Sequence, residues 1–195
     1  MRFLLVAAAL VAFVLVATQM PVSRPPGVLA PGEPTQGPAE ERTFEKSGFA
    51  IRTLATYSGT ARVLSKEPYW IDGGADLAPY DLALGWGPMS DNTVLDRLSI
   101  SQGSRFFSYH PRGSDWPIPV DEINRHSANT HVIPANDEAA KTLRWVRRGQ
   151  VVHFSGYLVE AVHPSGSKWR SSLTREDSGS GACELLWAET LEVVE

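Results

Sequence analysis

The sequence lacks three features that would define a functional class. It has one cysteine in 195 residues, which excludes a disulfide scaffold and a zinc finger built on cysteines. It has no excess of basic residues, because 18 lysines and arginines are outnumbered by 22 acidic residues. A general phosphate-binding surface is therefore not expected, and we predict no nucleic-acid partner. Internal repeats are absent as well. What is present is 43% apolar residues, enough for one folded domain with a core.

The N-terminus contains the one long hydrophobic run of the chain. No residue between Arg2 and Arg24 is charged, and residues 3–17 are wholly apolar. A helix of these uncharged residues would span roughly 31 Å, just enough for the hydrocarbon core of a bilayer. We therefore predict a signal-anchor or transmembrane helix over residues 1–20. A cleaved signal peptide is the alternative, although no Ala-x-Ala cleavage site follows the run. Either segment would export the rest of the chain.

Residues 21–43 are predicted to form a linker. The stretch 21–40 contains six of the fourteen prolines, with three glycines between them. Proline removes backbone donors and glycine adds backbone freedom, so neither helix nor sheet is expected to extend through it. We predict a partly polyproline-II tether that connects the membrane segment to a soluble β-rich domain over residues 44–195.

Two stretches of the soluble domain predict helices. Asn136 is suited to cap a helix over 137–148, which has acidic residues in its first turn and arginines in its last. Gly149 follows and ends it. A second, shorter helix is expected after Asp91, which is itself a suitable cap.

The other segments have the pattern of strands. Segment 150–162 alternates apolar residues and contains Gly156, where a bulge or sharp bend is expected. Segment 168–174 predicts a further strand. Segment 182–194 places Trp187 and Leu191 on one face of a strand, with a helix as the alternative.

These elements predict a mainly β fold with minor α: a small, partly open barrel with one clear helix, after the N-terminal transmembrane helix. Segment 148–159 (RGQVVHFSGYLV) resembles the first strand of many OB-fold domains, which implies an OB-like barrel. Other β-barrels and sandwiches would have the same pattern.

Three further stretches resemble an uncharacterised family of exported or membrane-anchored bacterial proteins. They are 77–91 (LAPYDLALGWGPMSD), 126–135 (HSANTHVIPA) and 169–184 (WRSSLTREDSGSGACE). The resemblance implies bacterial export and a single domain. Together with the N-terminal run, it predicts a domain on the periplasmic side of the inner membrane, anchored by one pass, or secreted if the leader is cleaved. It implies no activity.

Cys183 is the candidate nucleophile, with His126 or His131 as the base that would activate it. An anchored β-protein with histidine before cysteine is similar in outline to the sortase transpeptidases. This chain departs from them, because no arginine follows Cys183 and the residues before it differ from the sortase motif. The alternative is a small buried side chain on the strand face of Leu185 and Trp187.

The spacing of the two histidines argues against a metal site. His126 and His131 are five residues apart, which on a strand puts them on opposite faces. Only a loop could bring them together, and Asn129 between them is expected to stabilise such a loop through backbone hydrogen bonds. We predict neither a metal nor another cofactor.

Trp86, Asp91 and Arg105 are the predicted binding residues, with Asp81 near them. An arginine–aspartate pair beside an indole can form a ligand pocket or a partner surface. The alternative is a half-buried ion pair packed on a core tryptophan. The sequence thus predicts a membrane-tethered, non-catalytic binding or assembly module that contacts an envelope protein or polymer. A thiol-dependent envelope hydrolase or transpeptidase using Cys183 is the second hypothesis.

Overall fold

The structure is a computed structural model that describes residues 20–174 and 181–195. The predicted membrane helix over residues 1–20 lies outside the described residues, except for Met20. Within the described ranges no helix is both long enough and apolar enough to cross a membrane. The anchor therefore stays a prediction from the sequence.

Strands dominate the described chain. They are β1 (Thr35–Pro38), β2 (Thr43–Lys46), β3 (Phe49–Pro68), β4 (Tyr80–Gly85), β5 (Leu98–Gly103), β6 (Phe106–Pro111), β7 (Ser127–Pro134), β8 (Val151–Val162), β9 (Lys168–Arg170) and β10 (Glu184–Val193). The helices are α1 (Asn92–Leu95), α2 (Val120–Arg125) and α3 (Asp137–Trp145), with a 3-10 turn at Gly87–Ser90. The prediction of a mainly β fold with few helices is confirmed.

Five of the strands form a ring. The long strand β3 pairs antiparallel with β4 and also with β8. Strand β4 pairs antiparallel with β7, β7 pairs parallel with β10, and β10 pairs antiparallel with β8, so the path returns to β3. Strands β1, β2 and β9 extend this sheet, whereas β5 and β6 form a separate hairpin.

The ring encloses an apolar core. Every ring strand contributes residues to one buried cluster, among them Tyr57, Leu84, Val132, Phe154 and Leu186. Other apolar residues of the ring strands belong to two further buried clusters, on the outer face of the ring. One outer cluster lies beneath β2 and β9, and the other lies beneath the β5–β6 hairpin. Apolar side chains are therefore buried on both faces of the ring strands, since successive side chains of a strand point to opposite faces.

The bend predicted at Gly156 is present in β8. Its φ is +154°, and a Cβ there would lie 1.9 Å from the Trp187 carbonyl oxygen, so only glycine fits. Opposite it, the register of β10 shifts between Ala188 and Thr190. Segment 182–194 is thus a strand as predicted, but the shift moves Leu191 into the ring core, away from the face of Trp187.

Both predicted helices begin at their predicted caps. The side chains of Asn136 and Asp91 each accept a hydrogen bond from a first-turn amide, at 2.9 and 2.8 Å. Helix α3 ends at Trp145 rather than at residue 148, because Val146 turns out of the helix and packs in the ring core.

Residues 21–43 follow the surface of the ring. The Val22 amide donates to the Arg148 carbonyl at 2.8 Å, and Ala30 is buried in the ring core. Strand β1 then pairs with β3. This segment was expected to form a partly polyproline-II tether without helix or sheet, and the difference has a physical reason. Ring backbone satisfies hydrogen-bonding groups that the segment cannot satisfy by itself.

Candidate functional site

Arg105 lies in the tight turn between β5 and β6, against the outer face of the ring. Ser104 and Arg105 form this turn and have positive φ values of 51° and 67°. Residues other than glycine rarely adopt this conformation, which costs each about 1 kcal/mol. The Arg105 amide donates to the Tyr69 hydroxyl at 2.8 Å, and its carbonyl accepts from Asn129 Nδ2 at 3.0 Å. These contacts hold the turn in its strained conformation.

The Arg105 side chain joins two aspartates. Its Nη1 donates to Asp81 Oδ1 and to the Ala78 carbonyl, both at 2.8 Å. Its Nε and Nη2 donate to the two carboxylate oxygens of Asp72, at 2.9 and 2.8 Å. Asp81 is fully buried on β4, whereas Asp72 is exposed in the loop 69–79. The guanidinium therefore fastens this loop to the ring.

The same contacts fix the charges of the group. Hydrogen bonds from Arg105 hold the pKa of Asp72 below its ordinary value. Burial alone would lower the pKa of Arg105, but the hydrogen bonds and negative charges of the two aspartates outweigh it and raise that pKa. Burial, followed by the negative charge of Asp81, raises the pKa of Tyr69 to about 12.

Aromatic rings surround the guanidinium and the adjacent imidazole. The Arg105 Cζ atom lies 3.6 Å from the ring centroid of Tyr69 and 5.2 Å from that of Trp169, close enough for cation–π attraction. Trp169 also contacts the ring of His131, with centroids 4.6 Å apart. Both Tyr69 and Trp169 are half-buried, so each presents part of its ring to solvent.

His131 lies behind Arg105, on the buried side. It is opposite Asp81 in the register of β4 and β7, and its Nδ1 is 2.8 Å from the Asp81 oxygen that Arg105 also contacts. Among the described residues, the Nδ1 atom of His131 has no partner with the geometry of a hydrogen bond. Asp81 thus faces two nitrogen-bearing side chains in a site without water access.

Cys183 precedes β10 and lies beside Asn129 of β7. Asn129 Nδ2 is 3.5 Å from Cys183 Sγ, and Sγ is 3.7 Å from the Arg105 carbonyl oxygen. Within residues 20–174 and 181–195, no hydrogen bond joins Cys183 to His126 or His131. The thiol therefore contacts this site through Asn129 and the turn. We name the whole group the Arg105 cluster: Tyr69, Asp72, Asp81, Arg105, Asn129, His131, Trp169 and Cys183.

His126 lies apart from the Arg105 cluster, at the beginning of β7. Its Nδ1 is 2.8 Å from the Glu122 carbonyl oxygen and 3.4 Å from the carboxylate of the same residue. Residues 127–134 are a strand, not the loop expected around Asn129, so the five-residue spacing keeps His126 and His131 on opposite faces. Among the described residues, no three side chains of histidine, cysteine, aspartate or glutamate are arranged to hold a metal.

Trp86 and Asp91 also lie apart from the Arg105 cluster. Trp86 is 1% exposed in the ring core. Asp91 caps α1 and accepts from the Gly27 amide at 3.0 Å, and these hydrogen bonds lower its pKa. Their role in binding stays a prediction, since the surface that surrounds Arg105 is formed with the loop 69–79 instead.

The solvent-facing side of the Arg105 cluster offers polar and aromatic contacts together. The Arg105 side chain is 17% exposed beside the more exposed Asp72. The next residues of the loop 69–79 have their side chains in solvent, with Trp70 77% and Ile71 96% exposed. Such a surface is suited to contact with a partner, because aromatic and arginine side chains provide much of the energy at interfaces.

Sequence reasoning missed Tyr69 and Asp72, although one signal pointed to the site. The stretches 77–91, 126–135 and 169–184 each contribute members to the Arg105 cluster. Segments that seem unrelated along the chain therefore meet here, and only the pairing of β4, β7 and β10 brings them together.

Comparison with known proteins identifies no relative: no protein-family model, no curated protein and no solved structure matches the chain. The function must therefore be argued from the geometry of the site.

Proposed function

We propose that this protein is a membrane-tethered extracytoplasmic binding or assembly module of the bacterial envelope, without catalysis. The observation that carries the proposal is the Arg105 cluster, which fixes an exposed aromatic loop to the outer face of the ring. The partner is an envelope protein or polymer. The apolar run over residues 3–17 supports the tether, and the resemblance to exported bacterial proteins supports the compartment.

Strand connectivity supports an OB-like fold as part of this proposal. In chain order the ring strands are β3, β4, β7, β8 and β10, and around the ring they run first, second, third, fifth, fourth. OB folds are five-stranded, partly open Greek-key barrels that bind ligands on the face of their second and third strands. In that correspondence β8 is the fourth strand, whereas the sequence of 148–159 resembled a first strand.

The Arg105 cluster occupies the matching position. Asp81 is on the second ring strand, Asn129 and His131 are on the third, and the loop 69–79 connects the first two. Loops in that place, and between the fourth and fifth strands, take part in ligand binding by OB folds. Trp169 belongs to the latter connection. The location is thus one where a binding module of this architecture would contact its partner.

The test removes the exposed side chains without touching the buried ones. Trp70→Ala combined with Ile71→Ala should abolish co-purification of the partner after cross-linking in bacterial envelopes, while thermal unfolding of the full chain stays unchanged. Trp116→Ala is the matched control, because Trp116 is a 40% exposed tryptophan after β6 whose ring contacts Tyr109. Equal capture by the double variant and by the wild-type chain would rule out this surface.

A thiol enzyme is the second candidate, since Cys183 and the Asp81–His131 contact lie in one cluster. Labelling of the full chain with iodoacetamide near neutral pH separates the two. Rapid alkylation of Cys183 that His131→Gln suppresses would favour the enzyme. Protection of the thiol until the chain unfolds would exclude it.

A further inference from the structure

A cavity lined by arginines lies away from the Arg105 cluster, between the N-terminal segment, β3 and the region of α1. Its volume is about 490 Å³, which is within the usual range of small-molecule sites. The charged side chains on its walls are Arg24, Arg62, Arg112, Arg148 and Asp96. Four positive charges thus meet one negative charge, although the whole chain is acidic.

Arg62 is the buried member of this set. It belongs to β3 and is 6% exposed. Its Nη1 donates to the Ser90 carbonyl at 3.0 Å, and among the described residues no carboxylate lies within 4.0 Å of its guanidinium. A buried charge without a counter-ion is unfavourable, because it has lost its hydration and gained little in return. The fold therefore retains a cation that an anion would stabilise.

The neighbouring arginines strengthen the positive potential around Arg62. Burial, followed by the positive charge of Arg24, lowers the pKa of Arg62, and Arg148 acts in the same direction. Asp96 and Asp91 oppose this effect, but neither forms an ion pair with Arg62. The carboxylates near the cavity thus leave its positive charge only partly balanced.

The other three arginines are mostly available as well. Arg24 has one weak ion pair, 3.6 Å from the carboxylate of Glu195, and its Nε donates to the Gly149 carbonyl. Arg112 and Arg148 are exposed and have no ion pair within the part of the chain that the structure describes, although Arg112 Nε donates to the Leu98 carbonyl at 3.0 Å. Several guanidinium donors can therefore turn toward a ligand in the cavity.

We infer that this cavity binds a phosphate-bearing ligand through Arg62 and Arg148. Guanidinium groups match the geometry of phosphate oxygens and form paired, charge-assisted hydrogen bonds with them. The cavity is larger than a single phosphate group, so the ligand carries an organic part as well. A soluble phosphate ester and a phospholipid headgroup share this chemistry. The inference is independent of the partner surface proposed above.

The binding test uses the full chain in a neutral detergent that contains no phosphate. Calorimetric titration with inorganic phosphate measures the soluble arm. Titration with dihexanoyl phosphatidylglycerol, below its micelle concentration, measures the lipid arm. At least one of the two probes should bind saturably at one site. Added sodium chloride should weaken that binding, because screening reduces the attraction between charges.

Three exposed positions give variants that separate binding from folding. Arg148→Ala should weaken binding roughly tenfold, which is about the effect of one charge-assisted hydrogen bond. Asp96→Asn should tighten binding by roughly threefold, because it removes the carboxylate from the cavity wall. Arg144→Ala is the matched control, because Arg144 is an exposed arginine four residues before Arg148 that does not line this cavity.

The two arms distinguish the sources of the phosphate. A soluble phosphate ester is supported if inorganic phosphate binds, and if Asp96→Asn binds it more tightly and Arg148→Ala more weakly than the wild-type chain. A phospholipid headgroup is supported if only the lipid binds and the variants rank in the same way. The inference is overturned if neither probe binds, if Arg144→Ala weakens binding as much as Arg148→Ala, or if Asp96→Asn fails to tighten it.

Discussion

Arg105 and Arg62 are two largely buried arginines with opposite surroundings. Arg105 has a carboxylate on each side, at 2.8 Å from Asp81 and 2.8 Å from Asp72. Arg62 has one carbonyl partner and no ion pair among the described residues, and the charges of Asp96 and Asp91 only partly offset those of Arg24 and Arg148. The charges around Arg105 are balanced, and this arginine fixes a loop in place. The charges around Arg62 are not balanced, and its cavity is open to an anion. The two arginines differ in the number of carboxylates that contact the guanidinium rather than in burial. We expect this number to decide whether a buried arginine has a structural role or binds an anion.

The strongest test of this comparison removes the buried carboxylate. Asp81→Asn should lower the free energy of unfolding by about 2–3 kcal/mol, because it removes a fully buried ion pair with Arg105, although Asp72 still balances the guanidinium. Urea unfolding of the full chain measures this. Asp72→Asn is the matched control and should cost about 1 kcal/mol or less, since Asp72 is exposed. Equal costs at the two aspartates would contradict the comparison.

The second test removes the unbalanced arginine. Arg62→Met should change the free energy of unfolding by no more than about 1 kcal/mol, because relief of the buried charge offsets loss of the hydrogen bond to Ser90. The same variant should lose phosphate binding. Urea unfolding without phosphate and calorimetry with it measure the two effects. A loss of stability as large as that of Asp81→Asn would show that Arg62 is already compensated.

The mainly β class of the fold and several of its local features were predictable because local signals were strong. The caps at Asn136 and Asp91 and the bend at Gly156 depend on contacts within a few residues or on steric limits of the backbone. The course of residues 21–43 and the face occupied by Leu191 were not predictable. Both depend on a partner strand, and strand pairing is set by residues far apart in the sequence.

Some residues of the candidate site could be singled out from the sequence, but the complete set could not. Arg105, Asp81 and Cys183 were singled out, yet Tyr69 and Asp72 were not, because their loop becomes part of the site only when Arg105 fastens it to the ring. Long-range pairing likewise decides that Trp86 faces the ring core. No local pattern distinguishes a tryptophan on the inner face of a ring from one on its outer face.

The third test concerns a buried carboxylate among exposed cations, the reverse of the Arg105 cluster. Glu160 is contacted by Arg52, Arg170 and Lys168 at 3.0, 2.9 and 3.2 Å. Hydrogen bonds from Arg52 and Arg170 lower the pKa of Glu160 to about 2, from 4.5. Between these values the folded chain binds fewer protons than the unfolded chain, so stability falls as the pH falls.

Replacement of that carboxylate should therefore make the stability of the chain depend less on pH in the acid range. Glu160→Gln should be less stable than the wild-type chain at pH 6, and the difference should shrink between pH 4.5 and about 2. Thermal unfolding measured at several pH values shows this. A difference that stays constant over that range would mean that the ion pairs contribute nothing to the acid sensitivity.

The smallest effect concerns the strained turn that positions Arg105. Ser104→Gly should raise the free energy of unfolding by up to about 1 kcal/mol, because glycine adopts the φ of 51° without steric cost, although it also makes the unfolded chain more flexible. Arg105→Gly relieves the same kind of strain at 67° but should lower stability, since it removes the ion pairs to Asp81 and Asp72. Urea unfolding of both variants measures the contrast. A gain at both positions would mean that the turn, and not the guanidinium, determines how firmly the hairpin is held against the ring.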